Sequence, residues 1–331
     1  MVRRRSAEVQ LEAREPTLDW QRYAEGFRVI EQNVEKVVQG KQPEIRLALA
    51  ALLAEGHILI EDVPGVGKTM LAKAIARSID CSFRRIQFTP DLLPTDVTGV
   101  NVFNQERGDF EFKPGAIFAN IVLGDEINRA SPKTQSALLE CMEERQITVD
   151  TETYQLGTPF MVIATQNPIE HEGTYPLPEA ELDRFTMRIA IGYPPLADEA
   201  QMLSEQTMDT TLLDRLEPVA SAEELMNAIE DARRVFVEES LNRYVVALLR
   251  QTRSDSRLYL GASPRAGIAL LRVAKARALV SGREFVQPED VKVVAPTVLA
   301  HRLILAPEAR SSGLDAEDLV RSVLERTPVP V

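Results

Sequence analysis

The sequence predicts an α/β fold in which an open parallel five-stranded sheet, covered by helices, is followed by a mainly helical second domain. Three observations predict it. Apolar runs at 57–61, 120–124 and 160–165 are short and stop at polar or charged residues, as fully buried strands do. Between such runs, apolar residues recur at helical spacing. Beyond about residue 200 the helical periodicities continue while the strand-like runs largely cease.

Composition narrows the class. The 331 residues carry 50 acidic against 38 basic side chains, a net charge of -12, which argues against gripping duplex DNA with a broad basic face. Cys81 and Cys141 have no metal-ligand spacing, and His57, His171 and His301 are far apart. The basic start "MVRRRSAEVQLEAREP" is not followed by an apolar stretch, so it does not read as a secretory signal. No run approaches the roughly 18 apolar residues of a membrane span. A reducing, cytoplasmic setting is expected.

The elements follow in order. Residues 1–24 read as a peripheral segment. Helical periodicity runs through Phe27, Ile30, Val34, Val37 and Val38, then through Ile45, Leu47, Leu49 and Leu52, interrupted by "VVQGKQ". "HILIE" then reads as a strand, "EDVPGVGKTM" as a glycine-rich turn, and "KTMLAKAIARSI" as a helix with Met70, Leu71, Ala74, Ile75 and Ile79 on one face. Strand, tight turn, helix is the context a phosphate-binding loop requires. Gly65 and Gly67 let backbone N–H groups turn inward around phosphates, and the helix start adds free amides and its dipole. Lys68 can reach the β- and γ-phosphates, and Thr69 can offer its hydroxyl to magnesium. Pro64 and Val66 complete the cradle. The general pattern begins with a glycine where this chain has Asp62, which predicts less backbone freedom there.

"NIVLGDEINRAS" is a second strand ending in Asp125 and Glu126. Ligands of open α/β sheets sit beyond the strands' carboxyl ends. Asp125 can hold magnesium through water, and Glu126 can orient or deprotonate an attacking water. "FMVIATQNP" ends in Asn167, which can hold the lytic water or sense a γ-phosphate, or simply form a turn before Pro168. "SFRRIQF" and "MRIAIGYPP" complete the five strands. Two hairpins interrupt the core. Val100 and Val102 alternate with polar positions before Arg107–Gly108, and Phe110 and Phe112 alternate after it; "QITVDTETYQL" repeats the pattern with Ile147, Val149, Tyr154 and Leu156. Read from the residues, these hairpins cover sheet edges, with Phe110 and Phe112 in the core. "YPPLADEAQMLSEQ" marks the hinge. After it, Ser263 and Pro264 read as N-cap and first residue of a helix that places Arg265 in its first turn. A cation there is unfavourable against the helix dipole unless an anion lies nearby.

"EDVPGVGKT", "GDEINRA", "ATQNPIEHEGTYPLPEAELDRF" and "GASPRA" together resemble the AAA+ ATPases, and more narrowly the MoxR family, over residues 25 to 305. The resemblance implies an AAA+ P-loop ATPase core over 25–199, with hairpin inserts that face the central pore or a partner, and a helical lid over 200–331. It assigns Lys68, Thr69, Asp125 and Glu126 to ATP, magnesium and water, and Asn167 to the first sensor. Arg184 of "LDRF" matches an arginine finger reaching a neighbour's ATP, and Arg265 a second sensor reaching phosphates from the lid. Val38, Gln39 and Gly40, with Pro64 to Met70, would contact ATP or ADP. It further implies a homo-oligomeric ring, commonly a hexamer. Such a ring would remodel a client protein with a separate von Willebrand factor A domain partner, any membrane association arising through that partner. A metal chelatase-like ATPase subunit is the main alternative, and an ATP-bound scaffold another. A nucleic-acid motor is disfavoured because neither hairpin carries dense basic residues beside aromatics.

Overall fold

The computed structural model describes residues 19–169, 173–205 and 212–329; His171 lies outside the described residues. Helices α1 (Trp20–Glu35) and α2 (Gln42–Leu53) lead into strand β1 (Ile58–Glu61), helix α3 (Lys68–Ser78) and β2 (Phe83–Gln87). A short α4 (Pro94–Thr98) precedes the hairpin β3 (Gly99–Asn104) and β4 (Asp109–Pro114). Then come β5 (Ile121–Asp125), α5 (Pro132–Glu144), the hairpin β6 (Gln146–Val149) and β7 (Glu152–Gln155), β8 (Met161–Gln166), α6 (Glu179–Leu182) and β9 (Met187–Ile189). The remainder is helical: α7 (Leu196–Glu205), α8 (Ala222–Arg234), α9 (Glu239–Ser254), α10 (Pro264–Val280), α11 (Pro288–Leu299), α12 (Pro307–Ser311) and α13 (Ala316–Arg326). One small antiparallel pair, β10 (Leu258–Leu260) with β11 (Ile304–Leu305), lies among them.

The five expected strands form one parallel sheet in the order β2-β5-β8-β1-β9. Their apolar runs are continuous because both faces are covered. Ile58 and Ile60, Ile121 and Leu123, and Met161 and Ile163 point to one core with α1, α2, α3 and the lid helices. Leu59, Val122, Val162 and Ala164 point to a second core beneath α5 and the hairpins. The first core runs unbroken into Leu270, Val273, Val294 and Leu319 of the carboxyl-terminal helices. Helix α1 starts at Trp20, ahead of the boundary expected at residue 25, and Trp20 and Tyr23 pack against this core. Asp19 caps it by accepting from the Arg22 N–H. No described helix is long and apolar enough to cross a membrane.

The two expected hairpins are present, each antiparallel. They are joined through a stack of Phe112 on Tyr154, ring centroids 3.9 Å apart. Phe110, by contrast, is 70% exposed, so only Phe112 has the packed role.

Candidate functional site

The loop between β1 and α3 turns on two glycines. Gly65 and Gly67 have φ of +87° and +91°, and no atom lies within 4 Å of where a Cβ would sit at either, so the cradle is open. Gly67 is also the N-cap of α3 and brings no side-chain bond to the first turn. The amides a serine or aspartate cap would have taken therefore point outward. Val66 is buried and Met70 packs on the core, which anchors the loop, while Pro64 and Gly65 are exposed. Lys68 donates from Nζ to the backbone carbonyl of Asp62. Asp62 does not need glycine's freedom, since its φ is not positive. Its carboxylate is used instead, accepting from the N–H groups of Val63, Ile191 and Gly192.

Asp125 and Glu126 stand at the carboxyl end of β5, one strand removed from β1. The Thr165 hydroxyl organises both, donating to Asp125 Oδ1 at 2.6 Å and accepting from the Glu126 N–H at 2.9 Å. Arg85 pairs with Asp125 Oδ2 at 2.6 Å. Glu126 sits in the left-handed region, φ +56° and ψ +50°, uncommon for a residue with a side chain. Its Oε2 accepts from Gln87 Nε2 at 2.8 Å and Arg129 Nη1 at 3.0 Å. Asn167 is buried and its Oδ1 accepts from the Ile169 N–H at 3.1 Å, the turn geometry expected before a proline.

The donor set fits magnesium. The Thr69 hydroxyl and the Asp125 carboxylate are both hard oxygen donors. Thr69 follows the loop after β1 and Asp125 ends β5, with β8 between the two strands, so both lie at the carboxyl edge of the sheet.

Arg184 and Arg265 are elsewhere. Arg184 lies just ahead of β9, whose first residue pairs with Ile58 at the start of β1. The phosphate loop leaves the other end of β1, about 13 Å of strand away. Arg184 Nη1 donates to Leu139 O at 2.8 Å and pairs with Glu143 Oε2 at 3.2 Å. Arg265 Nη1 pairs with Glu143 Oε1 at 3.1 Å. One carboxylate thus gathers both arginines. They line a cavity of about 500 Å³ with Arg145, Arg233, Arg272 and Lys275, against Glu55, Glu143 and Asp183. The lid places Arg265 beside Arg184 rather than over its own phosphate loop. The Val38–Gly40 turn follows α1; Val38 is buried, and Gly40 lies against Pro195 and Asp198.

Arg85, Thr165, Gln87 and Glu143 hold the named residues and were not singled out in the sequence. The one available signal was the pair of arginines inside the strand "FRRIQ", whose first arginines are exposed. Glu143 on α5 gave none, because its partners are distant in the chain.

Residues 57–187 match the model of the ATPase family associated with various cellular activities (AAA), and residues 250–323 match the AAA lid domain. The chain is 50% identical to the uncharacterized protein YeaC of Bacillus subtilis, over 91% of this chain and 93% of that one. It is 40% identical to Chaperone MoxR1 of Mycobacterium tuberculosis, over 90% and 80% of the two chains. The crystal structure of a candidate ATPase from Cytophaga hutchinsonii superposes with a TM-score of 0.88 at 39% identity, covering 95% of this chain and 97% of that one.

Proposed function

Because the chain belongs to the MoxR family of AAA+ ATPases, we propose that it hydrolyses ATP with magnesium at sites completed between neighbouring copies in a ring, and uses the cycle to remodel a client protein. The observation that carries this reading is the meeting of Arg184 and Arg265 on Glu143, at the opposite end of the sheet from the phosphate loop. Held on Glu143 away from their own phosphate loop, the two guanidinium groups would exchange that carboxylate for the phosphates of the next copy.

The loop amides and Lys68 would grip the phosphate chain. Val38, Gln39 and Gly40 would border the base. Thr69 and Asp125 would hold magnesium, which when bound neutralises charge on the phosphates. Glu126, fixed by Gln87 and Arg129, would orient and deprotonate the attacking water beside Asn167. The neighbour's Arg184 and Arg265 would stabilise the charge that develops at the γ-phosphoryl. A hexameric ring, a separate von Willebrand factor A domain partner, a client protein or complex, and a cytoplasmic location for the ring complete the proposal.

ATP hydrolysis and particle mass measured together test it. Glu126→Gln should lower turnover about 100-fold while ATP still binds, and Arg184→Ala should lower it about 1000-fold. A one-to-one mixture of the two variants should regain about a quarter of wild-type turnover, because that share of interfaces pairs an intact Glu126 with an intact Arg184. No recovery on mixing would place Arg184 in its own subunit's site.

A further inference from the structure

The segment joining β9 to α7 is held by two charged side chains. The N–H groups of Ile191 and Gly192 donate to Asp62 Oδ2 at 2.8 and 2.5 Å. The carbonyls of Ile191 and Tyr193 accept from Lys41 Nζ at 2.6 and 2.8 Å. Asp62 is 9% exposed and Lys41 8%. Ions are buried at such depth only where several hydrogen bonds satisfy them. Asp62 completes its set with the Val63 N–H at 2.7 Å through Oδ1.

Both side chains come from places that the nucleotide would touch. Asp62 begins the phosphate loop, and its carbonyl already accepts from Lys68. Lys41 directly follows the Val38–Gly40 turn. That turn is seated on the start of α7, since a Cβ at Gly40 would lie 2.3 Å from Asp198 Oδ2 and 2.9 Å from Pro195 Cδ. The base end and the phosphate end of one site therefore converge on three residues, 191–193, that lead out of the core. The carboxylate at 62 has no part in shaping the loop's own positive-φ turns, which fall at Gly65 and Gly67. Its Oδ2 bonds go to Ile191 and Gly192.

We propose that Asp62 and Lys41 are positioning residues that tie the state of the phosphate loop to residues 191–193, which lead into the hinge that begins at Tyr193, and through it to the lid. The proposal rests on the loop being the ATP site. On ATP binding, Lys68 exchanges the Asp62 carbonyl for phosphate. The first residue of the loop is then released to shift, and its carboxylate carries residues 191–193 with it.

The test uses the full chain with a dye pair on exposed Glu140 of α5 and Arg250 of α9, reading core-to-lid energy transfer with and without ATP and magnesium. A fluorescent ATP analogue reports binding separately. Asp62→Asn keeps the size but sets an amide donor against the N–H groups of Ile191 and Gly192. Lys41→Met removes the ammonium from the other side and serves should the first variant fold poorly. At ATP concentrations that saturate each variant, as the analogue reports, both should lose more than about half of the ATP-dependent transfer change. A wild-type-sized change in either folded variant overturns the clamp, as does a wild type that binds ATP without any change. A wild type that binds no ATP overturns the nucleotide-site reading itself, and the clamp with it.

Discussion

Glu126 shows what single residues contribute and how much of that is readable from their neighbours. Two consecutive acids after an apolar run are visible in the sequence. The left-handed backbone that turns Glu126 away from Asp125, and the Gln87 and Arg129 bonds that aim it, are not. His57 makes the same point for stability. It is buried, donating from Nε2 to Met142 O and accepting the Val162 N–H at Nδ1, which requires the neutral ring. Burial first, and then Arg145, hold its pKa down to about 4. Burial depresses His301 in the same direction. Below about pH 6.5 the unfolded imidazole takes up a proton that the folded one refuses. The stabilisation is therefore complete above 6.5 and shrinks as pH falls towards 4, by about 3 kcal/mol for His57. Urea midpoints at pH 7 and pH 5 should differ, and His57→Gln should narrow that difference; an unchanged difference would remove His57 from the acid response.

Elements were the most legible level, because local chemistry sets them. The strand, loop and helix around Lys68, the two hairpins and the Ser263–Pro264 start of α10 all form where their turn and cap residues place them. Helix α8 carries a reciprocal cap of the same kind. Ser221 Oγ accepts from the Glu224 N–H at 3.2 Å, and Glu224 Oε2 accepts from the Ser221 N–H at 2.9 Å. Ser221→Ala should cost about 1 kcal/mol, read as a lower denaturation midpoint with little change in ATP turnover. Harder to read was which aromatic of a hairpin is packed against the other hairpin. Phe110 and Phe112 share one face of β4, yet only Phe112 meets Tyr154 of the other hairpin.

At the scale of the molecule, the lid is braced to the core by Arg302. Its side chain is 4% exposed and pairs with Asp183 Oδ1 at 2.6 Å. It also donates to the carbonyls of Asp183, Thr186 and Phe185, the last at 2.7 Å. Asp183 adjoins Arg184, so the brace also sets where that arginine stands. Asp183→Ala would leave a buried cation without its counter-ion and should cost about 3 kcal/mol. Arg302→Met, which removes the charge as well, should cost less. Denaturation midpoints of the two variants check this ordering, and equal or reversed losses would show that the brace is not electrostatic.

By itself the sequence determined the α/β class, the five strands, the glycine-rich strand–turn–helix around Lys68 and Thr69, and the acids at the end of β5. Each of these is written in residues close together in the chain, through periodicity, turn chemistry and helix capping. The tertiary structure alone decided that Arg265 joins Arg184 on Glu143, that Thr165 and Arg85 order Asp125, and that Asp62 and Lys41 hold the segment at 191–193. Those contacts join residues distant in the chain. They depend on strand order and on where the lid packs, and no local pattern encodes either.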